Sequence, residues 1–115
     1  FFIVRYQAKG QNPFFKILQI EDGTTVGNIE QHIYMHPWLT GIDKIEYSAR
    51  FPFANLKYTD QELPLEITME AYSPFIPNDV KNSSLPVLYF NFNIKHTGTT
   101  DADVMIIATM RSQVG

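Results

Sequence analysis

The 115-residue sequence predicts an all-β fold, an antiparallel β-sandwich that is a fragment of a larger sandwich domain. Three observations support this prediction. Apolar side chains recur with a period of two, clusters of Gly, Pro, Asn and Asp separate the apolar runs, and no segment keeps a helical apolar stripe for three turns. We therefore expect residues 1–115 to form a single sandwich domain or part of one.

The first half of the chain contains four short strand candidates. They cover residues 3–7, 14–20, 42–49 and 54–58, and turn-forming residues separate them. Residues 26–35 predict one or two helical turns at most.

The clearest strand follows at residues 65–71. One face carries apolar side chains (Leu65, Ile67, Met69, Ala71) and the other carries polar ones (Glu66, Thr68, Glu70). This alternation indicates a strand that is packed on one side and hydrated on the other.

Two further strands are predicted near the end of the chain. Residues 88–95 place Leu88, Phe90, Phe92 and Ile94 on one face. Residues 104–108 are uniformly apolar, which is typical of a central strand covered on both sides. The polar, glycine-containing segment 96–101 between them has the length of a hairpin connection.

Composition excludes several classes of function. The net charge is −3 and the basic residues are scattered, so nucleic acid is not expected as a partner. The absence of cysteine excludes disulfides, thiolate metal sites and a Cys nucleophile. No apolar run reaches the ~18 residues that a transmembrane segment needs. Because the chain opens on Phe1-Phe2-Ile3-Val4, without a Met or a signal peptide, we expect it to be a piece of a longer polypeptide.

A histidine pair offers the only metal-like spacing. His32 and His36 lie four residues apart, which on a helix places both rings on one face. The Glu of a zinc-protease motif is missing between them, and Pro37 would end a helix at once. Two loop histidines are therefore the favoured interpretation, and we predict neither a metal site nor a cofactor.

The aromatic residues suggest a candidate sugar platform. Trp38, Tyr72 and Tyr89 could stack against sugar rings, and alternation places Tyr72 and Tyr89 on the faces opposite to the apolar ones. Burial against another sheet or domain is the competing interpretation, because strands also favour aromatic residues for packing.

A proline-rich loop is the most distinctive segment. The stretch SPFIPNDVKNSSLP, residues 73–86, contains three prolines and few charges between two predicted strands. Proline fixes φ and restricts the residue before it, so this loop should keep its shape at low entropic cost. We call residues 73–86 the proline loop.

The same segment carries a family resemblance. Residues 46–111 resemble the N-terminal domain of glycoside hydrolase family 116, which contains non-lysosomal glucosylceramidases and β-glucosidases of bacteria and archaea. The strongest match is Ser73-Pro74-Phe75-Ile76-Pro77, followed by Asp79 and by Ser83-Ser84-Leu85-Pro86-Val87, with Met110-Arg111 after the last strand. The family often has Asp where this chain has Asn82.

The resemblance implies a two-domain parent enzyme. A β-sandwich would precede a helical (α/α) barrel that carries the catalytic carboxylates of a retaining β-glucosidase. Because both carboxylates belong to the helical domain, this segment is expected to contain no catalytic residue, to hydrolyse no aryl β-glucoside by itself and to support its neighbour. The parent's glycoside substrate and the C-terminal helical domain are the implied partners.

We therefore expect the proline loop to dock against the helical domain. The residues expected to form this docking surface are Ser73, Pro74, Phe75, Ile76, Pro77, Asp79, Ser83, Ser84 and Pro86. The alternatives are a stand-alone carbohydrate-binding module and an immunoglobulin-like interaction module. A helical domain encoded downstream would favour the accessory-domain interpretation over both alternatives. Glycan retention by the isolated segment would favour the carbohydrate-binding module over the immunoglobulin-like one. We also expect self-association of an isolated segment through the strands near Phe1-Phe2 or residues 104–108.

Overall fold

Two four-stranded sheets form the architecture in a computed structural model that describes residues 1–20 and 39–110. The strands are β1 (Phe2–Ala8), β2 (Phe14–Ile20), β3 (Leu39–Ile42), β4 (Lys44–Arg50), β5 (Phe53–Thr59), β6 (Leu65–Tyr72), β7 (Tyr89–His96) and β8 (Ala102–Ala108), with one short helix, α1 (Val80–Ser83), before β7. Sheet I has the order β3-β2-β1-β8 and sheet II has the order β4-β5-β6-β7. The predicted β-sandwich is confirmed.

The core lies between the inner faces of β1 and β6. Val4 and Tyr6 on β1 are buried with Leu65 and Ile67 on β6, as the alternation of residues 65–71 predicts. Phe2, at the start of β1, also joins the two sheets. Its ring packs edge-on with the rings of Phe90 and Phe92 on β7, with 5.0 Å between centroids in each pair.

Three details of the predicted topology are wrong. Residues 42–49 form not one strand but the end of β3 and most of β4, with a break at Asp43. β3 runs parallel to β2, so the sandwich is mostly, not wholly, antiparallel. Segment 96–101 is not a hairpin: β7 pairs with β6 and β8 pairs with β1, so the segment crosses between the sheets.

β8 is an edge strand, not the central strand that its apolar sequence predicts. It pairs only with β1 among the described strands, and Met105 on its outer face is 54% exposed. The physical reason is that β1, not β8, occupies the middle of sheet I. The expected self-association through this strand stays a prediction.

The crossing segment is held by an aromatic pair. The Tyr6 hydroxyl lies 3.2 Å from His96 Nε2, and this contact joins β1 to the end of β7. A Cβ at Gly98 would lie 2.6 Å from the same nitrogen, so the glycine gives the histidine ring its space. The Gly98 position is therefore explained by close approach as well as by the turn.

A buried ion pair ties sheet I to the turn between β5 and β6. Lys16 on β2 lies directly beside Val4 in the β1–β2 register, so its side chain starts on the core-facing side. Its Nζ lies 3.2 Å from Asp60 Oδ2 and 2.7 Å from Glu62 Oε2. The Asp60 side chain is 0% exposed, and its other oxygen accepts a 2.9 Å hydrogen bond from the Glu62 N–H. This arrangement compensates the buried lysine.

Two groups in the core have raised pKa values. Burial by itself lowers the pKa of Lys16, but hydrogen bonds and Coulomb attraction from Glu62 and Asp60 outweigh it and hold the pKa above its ordinary value of 10.5. Burial raises the pKa of the Tyr58 hydroxyl above 10.0.

These shifts predict a loss of stability in base. A group whose pKa is higher in the folded than in the unfolded state stabilises the fold below its unfolded pKa, and that contribution disappears as pH rises through the folded pKa. We expect the free energy of unfolding, measured by urea denaturation, to fall above about pH 10. Tyr58→Phe should remove the contribution of the tyrosine to this pH dependence and leave the contribution of Lys16. An unfolding free energy that stays constant or rises through this range would contradict the prediction.

Candidate functional site

Side-chain hydroxyls fasten the proline loop from within. Ser83 Oγ accepts a hydrogen bond from the Ile76 N–H at 2.9 Å and donates to the Ile76 carbonyl at 3.0 Å. Ser73 Oγ donates to the Val87 carbonyl at 3.1 Å, which closes the base of the loop. Ser73 and Ser83 therefore help to fix the shape of the loop.

A tight turn forms the tip of the loop. The Asp79 N–H donates to the Ile76 carbonyl at 3.0 Å, and Pro77 and Asn78 occupy the two central positions. Asn78 has a φ of +64°. Proline followed by a residue with positive φ is the pattern of a type II turn, and Asn is one of the few residues that adopt this φ at low cost.

Asp79 caps the short helix that follows the turn. Its Oδ1 accepts from the Asn82 N–H at 3.0 Å, and its Oδ2 accepts from the Asn82 amide group. These backbone and side-chain hydrogen bonds lower the pKa of the Asp79 carboxyl. Asn82 therefore has a local role, because its amide group donates to Asp79. Ser84 Oγ donates to the Lys81 carbonyl at 3.1 Å and ends the helix.

The apolar side chains of the loop point away from this hydrogen-bonded frame. Phe75 is 53% exposed, Ile76 is 48% exposed and Val80 is 80% exposed. These three residues line a shallow depression together with the frame residues of the turn and the helix. The Phe75 ring also meets the edge of Phe51, from the β4–β5 turn, at 5.0 Å between centroids. We call Phe51, Phe75, Ile76 and Val80 the apolar tip.

An aromatic row crosses sheet II next to the loop. Phe53, Tyr72 and Tyr89 are direct cross-strand neighbours on β5, β6 and β7. The Phe53 and Tyr72 rings are 5.2 Å apart and tilted, and the Tyr72 and Tyr89 rings are stacked at 5.1 Å. Tyr72 thus has an aromatic neighbour on each side. The row ends at the edge of the sheet with Tyr89, which is 48% exposed, and a sugar platform at Tyr72 and Tyr89 stays a prediction.

A polar row runs beside the aromatic row. Asn55, Glu70 and Asn91 are direct cross-strand neighbours two residues further along the same three strands, on the same outer face. Within the part of the chain that the structure describes, none of these three side chains makes a hydrogen bond or an ion pair. Hydrogen-bonding groups therefore lie free beside an aromatic surface.

The structure brings together some of the expected site residues and separates others. Tyr72 and Tyr89 meet, whereas Trp38, His32 and His36 lie outside the described residues. Phe51 and Phe53 also belong to the aromatic residues that the sequence offers for a stacking platform. The two-residue turn after β4 sets the register that places Phe53 opposite Tyr72.

The described residues show neither a metal cluster nor a membrane-spanning helix. No group of three or more His, Asp or Glu side chains in residues 1–20 and 39–110 could hold a metal ion. In the same residues, no helix is long and apolar enough to cross a bilayer.

Comparison with known families accounts for this sandwich and its loop. The model of the family described as beta-glucosidase 2, glycosyl-hydrolase family 116 N-term, matches residues 1–115. The chain belongs to this family. The match covers the whole chain, and so extends beyond residues 46–111, on which the sequence motifs rest.

Membership in glycoside hydrolase family 116 gives the parent protein its class. The chain is the N-terminal domain of a family 116 β-glucosidase, and a catalytic domain in the same polypeptide is implied. The two-sheet architecture agrees with the sandwich that the family resemblance implies.

Proposed function

We propose that this domain is non-catalytic and that it supports the helical catalytic domain of a retaining β-glucosidase or glucosylceramidase-like enzyme by docking against it through the apolar tip. The observation that carries the proposal is that polar and apolar side chains have different positions in the proline loop. Polar side chains fix the backbone, and apolar side chains are left facing outwards. A surface of this kind binds a partner without a large loss of conformational entropy.

The apolar tip has the composition of an interface rather than of a reaction site. Within residues 73–86, the only carboxylate is that of Asp79, which is already engaged in capping α1. Retaining hydrolysis needs two carboxylates about 5 Å apart. Exposed apolar side chains that are contiguous and rigid typically mark a protein contact. The loop therefore contributes binding surface, and the catalytic groups of the enzyme belong to the neighbouring domain.

The prolines account for the persistence of this surface. Pro74 and Pro77 flank Phe75 and Ile76, so the backbone on both sides of the exposed pair has a fixed φ. Pro86 restricts the return of the chain towards β7 in the same way. The docking residues expected from the sequence thus have three roles. Hydrogen bonds within the loop are made by Ser73, Asp79, Ser83 and Ser84, and the backbone is restricted by Pro74, Pro77 and Pro86. The residues proposed to contact the partner are Phe75 and Ile76.

Replacing Phe75 and Ile76 by Ser in the full-length enzyme should loosen domain association. Fully burying an exposed side chain of this size contributes ~1.5–3 kcal/mol, and only about half of Phe75 and of Ile76 remains to be buried on docking, so the coupling between the domains should fall by roughly 1.5–3 kcal/mol for the pair. We expect a lower melting temperature, separated unfolding transitions in calorimetry and faster proteolysis between the domains. Activity on a glucoside should fall with them.

The matched control is Met105→Ser. Met105 is as exposed as Phe75 but lies on the outer face of sheet I, away from the loop. Its replacement should leave domain association unchanged. If the Phe75 and Ile76 double variant keeps the melting temperature and activity of the native enzyme, the docking proposal is wrong.

A further inference from the structure

The outer face of sheet II contains a patch that docking through the apolar tip does not use. Tyr72 and Tyr89 face each other across β6 and β7, and Glu70 and Asn91 face each other two residues away on the same side. Cross-strand neighbours lie ~5 Å apart and residues two apart on a strand lie ~7 Å apart. The four side chains therefore outline an area close to the size of one pyranose ring.

The chemistry of this patch matches a neutral sugar. A pyranose with equatorial hydroxyls has flat C–H faces that pack on an aromatic ring, and a rim of hydroxyls that need donors and acceptors. Tyr72 covers one side of the Tyr89 ring, and Tyr89 lies on the last strand of sheet II, so its other side has no aromatic neighbour among the described residues. Glu70 offers two acceptor oxygens, and Asn91 offers both a donor and an acceptor.

The polar groups of this patch are available to a ligand. Elsewhere on this face Glu66 lies 3.6 Å from Lys95 and Glu46 lies 2.7 Å from Lys44, whereas Arg50 and Lys57 make no ion pair among the described residues. Glu70 and Asn91 have no such partner among the described residues. The patch carries one negative charge and no cation, which disfavours phosphate-bearing ligands.

We infer that Tyr89, Glu70 and Asn91 form a surface site for a gluco-configured oligosaccharide, with Tyr72 holding the Tyr89 ring in position. The site is separate from the catalytic chemistry and does not depend on the docking of the apolar tip. It would keep polymeric or multiply glycosylated substrate near the enzyme.

The test is titration calorimetry of the full-length enzyme with cellotriose while an iminosugar inhibitor saturates the catalytic site. We expect one remaining binding event with a dissociation constant on the order of 1 mM. Tyr89→Ala should weaken it roughly tenfold, whereas Tyr89→Phe should keep most of the affinity because the ring remains. Asn91→Ala, which removes an exposed side chain that makes no hydrogen bond to the other described residues, should weaken binding by about threefold.

Lys57→Ala provides the matched control, because Lys57 lies on the same outer face but two positions along β5 from Asn55. The affinity of the Lys57→Ala variant for cellotriose should equal that of the native protein. Phe75→Ser with Ile76→Ser should also retain cellotriose binding even when the domains loosen, which separates this inference from the docking proposal. Absence of binding at about ten times the expected dissociation constant, or equal affinity in Tyr89→Ala, Asn91→Ala and Lys57→Ala, would overturn it.

Discussion

Replacing Asp60 by Ala should destabilise the domain by about 3–5 kcal/mol, a large part of the stability of an ordinary domain. The Asp60 carboxylate has no exposure to solvent and lies 3.2 Å from the Lys16 ammonium group, whose side chain is also buried. Removing the carboxylate leaves the lysine charge in the core with Glu62 as its remaining partner. Because Glu62 is mostly exposed, its compensation is weaker, and we expect the lower half of this range. The measurement is the free energy of unfolding from chemical denaturation.

Two comparisons separate charge burial from simple loss of contacts. Glu66→Ala breaks the exposed ion pair with Lys95, whose side chains are both more than half exposed, and should cost less than about 1 kcal/mol. Lys16→Met together with Asp60→Ala removes both charges and should recover part of the loss, since an apolar side chain replaces the buried ammonium group. Equal destabilisation by Asp60→Ala and Glu66→Ala would show that the Lys16–Asp60 pair is not the buried tie between sheets that its geometry indicates.

This ion pair also shows where sequence reasoning stopped. Lys16 lies among Phe15, Ile17 and Leu18, and nothing local marks it as buried. Its partner Asp60 lies far along the chain, in a polar segment whose sequence predicts an ordinary solvent-exposed turn. Only the register of β2 against β1 turns the lysine towards the core.

The strands divide in the same way. The alternation at residues 65–71 specifies a one-sided strand, and β6 follows it from Leu65 to Met69, whereas Glu70 and Ala71 are half-buried. The apolar run at 104–108 has no alternation, so it predicts coverage of both faces but not a place in the sheet, and β8 lies at an edge. Likewise, the length and composition of segment 96–101 suit a hairpin as well as a crossing between sheets. Pairing partners are a tertiary property that a single short segment does not encode.

The sequence predicts the proline loop of the candidate site better than it predicts the aromatic and polar rows. Three prolines and the family motif predict a stiff, partner-facing loop, and the internal bonds of Ser73 and Ser83 agree with stiffness. The aromatic row depends on three strands having one particular register, which places Phe53, Tyr72 and Tyr89 side by side. Alternation indicates the face of each ring but not its neighbours, so a flat platform and a stacked row look alike in the sequence.

Ile67→Ala should be comparably damaging, with an expected cost of about 2–5 kcal/mol. Ile67 is 1% exposed and lies at the centre of β6, between Tyr58 on β5 and Ile94 on β7. It belongs to the same buried cluster as Val4 of the opposite sheet, so a shortened side chain leaves a cavity that neither sheet can close alone.

A graded series tests whether packing is the cause. Ile67→Val removes one methyl group and should cost about 0.5–1.5 kcal/mol, whereas Thr68→Ala, on the outer face of the same strand, should stay within about 0.5 kcal/mol. The strand that Ile67 anchors ends at Tyr72, where both the aromatic row and the proline loop begin. Loss of packing at Ile67 should therefore weaken domain docking and cellotriose binding together, while Phe75→Ser with Ile76→Ser affects only the first and Tyr89→Ala only the second. If Ile67→Ala and Thr68→Ala have equal effects on the free energy of unfolding, the interface between the two sheets is not the core that holds this domain together.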